Sequence, residues 1–279
     1  MSENHVLRVE CADAKGLIHK ITGVLYRQGL NIIENGEFVD SEIGRFFMRT
    51  EVAGKADAKK ITAELQKHLP PEAIVGMVRD RKKDIVLFAT TEPHCLGDLL
   101  IRHAYGELPA NVLAVVSNHD SLKSLAGRFK VPYFYAPADG KAREAHEAAL
   151  LKILSRLKPE YIVLAKYMRI LSDKFVGRFK GRILNIHHSF LPAFAGASPY
   201  QQAAERGVKI IGATAHFVTP ALDDGPIIAQ GVVPVDHSHS ASDIAQAGHD
   251  VEKIVLTKAL KLALEGRIFV SGNKTIIFD

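Results

Sequence analysis

The chain has 279 residues, 47% hydrophobic and 24% charged, with a formal net charge of +5; that is the balance of a soluble globular protein, with length enough for two domains. Its basic residues are dispersed and tryptophan is absent, so no basic-aromatic stripe or nucleic-acid motif is present and no nucleic-acid partner is expected. Cys11 and Cys95 have no CxxC spacing, which excludes a disulfide framework and points to a reducing compartment, the cytoplasm.

In chain order, Glu3, Arg8, Glu10 and Asp13 precede any long apolar run, so no secretory leader is expected. His5 to Cys11 reads as a strand. Leu17, Ile18, Ile21, Val24 and Leu25 then follow helical spacing. Asn31 to Asp40 and Arg45 to Val52 read as two strands about a turn, with Phe46, Met48, Thr50 and Val52 on one face. Ala56, Ile61, Leu65 and Leu69 mark a second helix that Pro70 and Pro71 stop, and Ala73 to Val78 is a last strand. The order is βαββαβ, a ferredoxin-like pattern for residues 1–80.

The charged run Arg79-Asp80-Arg81-Lys82-Lys83 contains the linker, 81–83. From residue 84 to 279 short apolar runs alternate with helical stretches. The runs are Ile85 to Ala89, Asn111 to Ser117, Val131 to Tyr135, Tyr161 to Leu164 and Ile183 to Ile186. The alternation predicts an α/β domain with a Rossmann-like, doubly wound, mostly parallel sheet. Ile210 to Val218 and Ile227 to Val235 predict a β-ribbon, and Ser240 to Gly266 a long helix capped by Ser240 or Ser242. Ile183 to Ala204 lacks charged residues, but its two histidines, two prolines, asparagine and two glutamines exclude a membrane span.

Asn185, His187 and Asp223 are the candidate chemical groups. In a strand from Arg182 to His187, Asn185 and His187 share a face. An amide donor and an imidazole there converge on one carbonyl oxygen, and Asp223, in a glycine-flanked loop, supplies a carboxylate. Taken singly, such an Asn or Asp is a common turn-former. His216 lies in a strand, where a buried, hydrogen-bonded histidine is the commoner role. His188 faces away from His187 if the strand continues and is read as structural. His237 and His239 share a strand face but have no third ligand at matching spacing, so no metal is expected.

The run Asn185-Ile-His187-His-Ser189-Phe-Leu-Pro192-Ala-Phe-Ala-Gly196 resembles the signature of folate-dependent formyltransferases, although many members carry proline at the position of His188. Gly212-Ala-Thr-Ala-His216-Phe-Val218-Thr-Pro-Ala-Leu222-Asp223-Asp-Gly225 is similar to their second block. Ala165-Lys-Tyr-Met168-Arg169-Ile170-Leu171-Ser172 is similar to the segment lining their folate pocket. The first 80 residues resemble an ACT domain through Asp13-Ala-Lys-Gly16-Leu17-Ile18, its loop-to-helix signature. An ACT domain ahead of this catalytic domain is the arrangement of a hydrolytic branch of the family. His94-Cys95-Leu-Gly97-Asp98-Leu-Leu100 and Val235-Asp-His237-Ser-His239 strengthen that likeness.

The resemblance implies hydrolysis of 10-formyltetrahydrofolate to tetrahydrofolate and formate, feeding purine and one-carbon metabolism, with no cofactor. It implies Asn185 and His187 as oxyanion donors, Asp223 as proton relay, His216 and His94 in support, and Met168, Arg169, Ile170, Leu171, Gly196, Val218 and Leu222 around the folate. It implies an amino-acid effector, glycine or methionine, at Asp13, Gly16, Leu17, Ile18 and Asn31, in a dimer or tetramer joined through ACT domains. Related glycinamide ribonucleotide enzymes hold the acceptor phosphate on a glycine- and serine-rich loop after their first strand. Here that stretch is Thr90-Thr91-Glu92-Pro93-His94-Cys95, where Pro93 removes a backbone donor and Glu92 repels phosphate, which favours water as the acceptor. Two alternatives are formyl transfer to an unidentified amine and a non-catalytic folate or amino-acid sensor.

Overall fold

The computed structural model describes residues 3–191 and 199–279, so Pro192 and Gly196 of the sequence motif lie outside the described residues. The chain divides into two compact units: residues 1–81 with Glu265–Phe269 and Ile277–Asp279, and Lys82–Leu264 with Val270–Ile276.

The first unit runs β1 (Asn4–Ala12), α1 (Leu17–Arg27), β2 (Asn31–Asp40), β3 (Arg45–Ala53), α2 (Ala58–His68) and β4 (Ile74–Arg79). Its sheet has the order β2-β3-β1-β4, and its pairs are antiparallel. Alternation puts Leu7, Val9 and Cys11 of β1 in register with Thr50, Met48 and Phe46 of β3. These residues pack with Leu17, Ile21 and Leu25 of α1 and Ile61 and Leu65 of α2 in one core, apart from Thr50, which is buried beside it. α1 begins after Gly16, whose φ of +80° is a left-handed conformation that glycine adopts without cost. α2 begins at Asp57, whose carboxylate accepts from the Lys60 amide at 3.1 Å.

Phe47, on the opposite face of β3, is fully buried. Phe269 packs edge-on against it, with ring centroids 5.7 Å apart, and the Arg8 guanidinium lies 4.3 Å from the Phe269 ring centre. Arg267 pairs with Glu34 at 3.0 Å. Residues 265–269 and 277–279, expected in the second domain, thus pack within the first unit. Periodicity along the sequence carries no sign of such a return.

The second unit contains β5 (Lys83–Ala89), α3 (His94–Ala104), β6 (Ala110–Ser117), α4 (Lys123–Arg128), β7 (Tyr133–Tyr135), α5 (Arg143–Leu157), β8 (Tyr161–Leu164), α6 (Asp173–Arg178), β9 (Ile183–His187), α7 (Pro199–Arg206), β10 (Ile210–Phe217), β11 (Ile227–Pro234) and α8 (Ala241–Leu264). A short pair, β12 (Ile268–Ser271) and β13 (Lys274–Ile277), follows. The main sheet has the order β11-β10-β9-β8-β5-β6-β7. Strands β7, β6, β5, β8 and β9 are parallel, and β10 and β11 are antiparallel additions. This is the expected doubly wound class. The chain moves outward from β5 to β6 and β7, then returns to β8 on the other side, so the strand order switches at β5 and β8. Crevices open beyond the carboxyl ends of the strands at such a switch.

Candidate active site

Three segments meet in one cleft of about 440 Å3 in the second unit. The loop after β8 gives Lys166 to Leu171, β9 and its end give Asn185 to His188, and the end of β10 with the following loop gives His216 and Val218 to Asp223. The antiparallel register sets His216 opposite Asn185. Between β10 and β11 the pairing shifts at Ala215/His216, a bulge of the kind that re-aims side chains beside active sites.

The loop carrying Asp223 folds back tightly on β10. The Phe217 amide donates to the Pro226 carbonyl at 3.0 Å, and a Cβ on Gly225 would stand 1.7 Å from the Phe217 carbonyl oxygen. Only glycine fits there. Asp223 itself has a φ of +53°, uncommon for a non-glycine residue.

Asn185, His187 and Asp223 come together. Asp223 Oδ2 lies 3.3 Å from His187 Nδ1, and Oδ1 lies 3.8 Å from His216 Nε2. The hydrogen bond from His187 holds the Asp223 carboxyl below its ordinary range, against the opposing effect of burial. The other ring nitrogen of His187, Nε2, is buried and has no hydrogen-bond partner among the described residues. It is the atom left for a ligand.

His216 is 2% exposed. Burial pushes its imidazole below the usual histidine range, although the bond to Phe217 opposes this. Its Nδ1 donates to the Phe217 carbonyl at 3.0 Å, and its Nε2 lies 3.2 Å from Asn185 Nδ2. A neutral ring with the proton on Nδ1 must accept at Nε2. That fixes the Asn185 amide with its nitrogen toward His216 and leaves a second N–H available to a ligand.

The predicted folate residues Met168, Arg169, Ile170, Leu171, Val218 and Leu222 all line the cleft. Met168, Ile170 and Leu222 are exposed there, an apolar rim open to a flat ring. Glu147 ties the β8 loop down by accepting from the Ser172 amide at 2.6 Å and from the Ser172 hydroxyl. Gly196 lies outside the described residues.

Other expectations change. His188 was expected to face away from His187, but β9 stops at His187. The His188 ring instead stacks on His187, with centroids 5.1 Å apart, and lines the cleft. His94 is absent from the lining; its Nε2 bonds Glu252 at 2.8 Å. His237 and His239 do not share a strand face, because β11 ends at Pro234. Asp236 accepts from the Ser238 amide at 2.8 Å and pairs with His239 at 2.8 Å, which curls the segment into a turn. In the first unit Gly16 caps α1. Leu17 is buried in the core, so its side chain does not reach a ligand, while Asp13, Ile18 and Asn31 are exposed.

Sequence reasoning passed over a second cluster. Glu252 on α8 is 0% exposed and gathers His94, Lys166 and Tyr200. Its signal is a carboxylate within the buried stripe Gly248, Glu252, Val255, Leu256 and Ala259.

Family models match in two stretches, "Formyl transferase" over residues 83–260 and "ACT domain" over residues 5–69. The formyltetrahydrofolate deformylase of Haemophilus influenzae is 49% identical over 277 residues, covering 99% of this chain and 100% of that protein. The crystal structure of a formyltetrahydrofolate deformylase from Pseudomonas syringae pv. tomato superposes with a TM-score of 0.95 at 37% identity, covering 100% of this chain and 95% of that one. That of glycinamide ribonucleotide transformylase 1 from Symbiobacterium toebii gives 0.68 at 33% identity, covering 71% of this chain and 95% of that one. Among the described residues no helix is long and apolar enough to cross a membrane.

Proposed function

The chain belongs to the formyltetrahydrofolate deformylase family, and on that premise we propose how its cleft hydrolyses 10-formyltetrahydrofolate to tetrahydrofolate and formate. One observation carries the assignment of roles: the unpartnered, buried Nε2 of His187 stands in the same cleft as the Asn185 amide and the Asp223 carboxylate.

The formyl oxygen accepts from His187 Nε2–H, in the imidazolium form paired with Asp223, and from the free N–H of Asn185. Water adds to the formyl carbon and the C=O electron pair moves to oxygen. These donors bind the resulting oxyanion, and each such donor contributes about 10²–10³ in rate. The proton lost by the water passes through Asp223 to the amine nitrogen of the folate. The C–N bond then breaks, and formate and the secondary amine leave. A carboxylate held below its usual range is a weak base in the free enzyme, so Asp223 takes the proton only as the oxyanion forms and the water becomes strongly acidic.

Met168, Ile170, Leu171, Val218 and Leu222 provide the slot for the pterin, and exposed Arg169 attracts the anionic glutamate tail. No cofactor enters this scheme. The ACT match supports an amino-acid effector; in this reading it is glycine or methionine, bound near Asp13, Gly16, Ile18 and Asn31 in an oligomer joined through that domain. The compartment in this reading is the cytoplasm.

Incubation with 10-formyltetrahydrofolate and no acceptor tests the reading. The wild type should release formate, whereas Asp223→Asn should lose about 10²–10⁴ in kcat and still bind tetrahydrofolate. An Asp223→Asn enzyme as fast as the wild type would refute the roles.

A further inference from the structure

Glu252 is the most deeply buried carboxylate among those described in the second unit, and it is ionised. Burial pushes it up, but the hydrogen bond from His94, the charge of Lys166 and the hydroxyl of Tyr200 outweigh burial and bring it down to about 2. Its Oε2 lies 2.8 Å from His94 Nε2 and 3.4 Å from Lys166 Nζ. A second carboxylate, Glu92, places Oε2 3.9 Å from Lys166 Nζ, 3.6 Å from His94 Nδ1 and 3.5 Å from His249 Nε2. The His94 and His249 rings stack at 4.1 Å. Glu92 Oε2 and His94 Nδ1 are buried and have no hydrogen-bond partner among the described residues.

Such a cluster is a poor device for stability. Desolvating two charges is costly, and an apolar replacement of equal volume holds a fold as well or better. Its position suggests another use. Lys166 is 4% exposed and lines the catalytic cleft. β8 pairs Leu164 with Asn185 at its last ladder position, so Lys166 follows β8 on the edge of the loop beside β9. Its backbone is pinned there: the Thr90 amide donates to the Lys166 carbonyl at 3.2 Å and the Thr90 hydroxyl accepts from the Met168 amide at 2.9 Å. Its φ is +63°. Of the other non-glycine residues with positive φ, Lys130 and Lys158 follow helix ends, and Asp223 is catalytic in the scheme above. Strain kept without a helix end to explain it marks functional positions.

The cleft therefore has two ends. One is the apolar rim that receives the pterin. At the other are Lys166 and His188, the latter between His187 and Tyr200 with ring centroids at 5.1 and 6.1 Å. Since the leaving nitrogen lies on the pterin side, the nucleophile comes from the Lys166 side.

We propose that Lys166 is a further catalytic residue, which holds the attacking water beside the formyl carbon, and that Glu252, with His94 and Tyr200, is the positioning group that holds Lys166 there. The inference rests on the hydrolytic reading and deepens it: a lysine ammonium held by buried carboxylates at this end of the cleft favours a small polar nucleophile, water, over an amine. The donor types at Glu92, His94 and His249 are those of a metal site, but the Lys166 ammonium already supplies the cation between the two carboxylates.

The test compares wild type, Lys166→Met, Glu252→Gln and Tyr200→Phe, each first checked for tetrahydrofolate binding by calorimetry. With 10-formyltetrahydrofolate alone, Lys166→Met should lose about 10²-fold in kcat with little change in KM, and Glu252→Gln and Tyr200→Phe smaller amounts in kcat alone. With hydroxylamine added, the ratio of formylhydroxamate to formate should stay low for the wild type and rise about tenfold or more in Lys166→Met and Glu252→Gln, a change that loss of stability alone does not produce. Wild-type kcat and an unchanged ratio in variants that bind tetrahydrofolate would overturn the proposal. So would wild-type activity lost on chelation and restored by zinc, which would assign the cluster to a metal. Should Lys166→Met fail to fold, Glu252→Gln decides by the same ratio, and Tyr200→Phe, which removes a single oxygen, should raise it by a smaller factor. A wild type releasing no formate without an acceptor would instead overturn the hydrolytic reading itself.

Discussion

The neutral form of His216 matters more than its contact with Asp223. At 3.8 Å that contact is beyond hydrogen-bond reach, whereas Asn185 Nδ2 lies 3.2 Å from the same ring nitrogen. His216 therefore orients the amide. His216→Phe should keep Asp223 and His187 paired but free Asn185 to rotate, lowering kcat about tenfold with KM nearly constant in steady-state kinetics, less than full loss of an oxyanion donor. His188 gives a pH prediction. Burial, with the charges of Lys166 and His187, pushes its imidazole from 6.5 down to about 4. Between those values the unfolded chain binds the proton and the folded one does not. The stability is whole above pH 6.5 and is lost as pH falls toward 4, on the order of 3 kcal/mol at most. Urea unfolding at pH 7.5 and 5 should show the wild type losing more stability than His188→Asn over that interval.

Two short structural devices fix elements of the second unit. Gly225 lets the Asp223 loop close on β10; Gly225→Ala would drive a methyl into the Phe217 carbonyl and move the loop. Formate release should fall about 10²-fold or more, since misplacement by an ångström costs that much, while far-ultraviolet circular dichroism stays as in the wild type. At the start of α8, Ser240 Oγ accepts from the Asp243 amide at 3.2 Å and the Asp243 carboxylate accepts from the Ser240 amide at 2.9 Å. Ser240→Ala should destabilise the protein by about 1 kcal/mol in denaturant unfolding. The helices and strands were legible because their apolar periods are strong, as in β1, β3 and α1. What stayed hidden depends on where elements stop or on distant segments meeting. β9 ends one residue before His188, and Asp236 bends the chain before His239. The cluster about Glu252 joins residues near 92, 166, 200 and 249, and spacing along the sequence cannot show that they meet.

On the scale of the whole chain, the first unit is made of three segments, two of them far in sequence from the first. Phe269 is 3% exposed and closes the face of β3 that carries Phe47. Phe278 packs edge-on against Phe269 at 5.5 Å, and Arg267 and Arg49 share the Glu34 carboxylate. Phe269→Ala should cost about 3–5 kcal/mol, read as an earlier transition in thermal or urea unfolding. The expected division into 1–80 and 84–279 does not include this closure, because no period or motif in residues 265–279 marks a return to the first unit. The order of synthesis follows from it. Residues 265–279 leave the ribosome after everything they cover, so the nascent first unit carries Phe47 bare while the second unit is still being made. A stalled chain ending before Glu265 should therefore be open to protease along β3 and a client for hydrophobe-binding chaperones, and release of the finished polypeptide should end both.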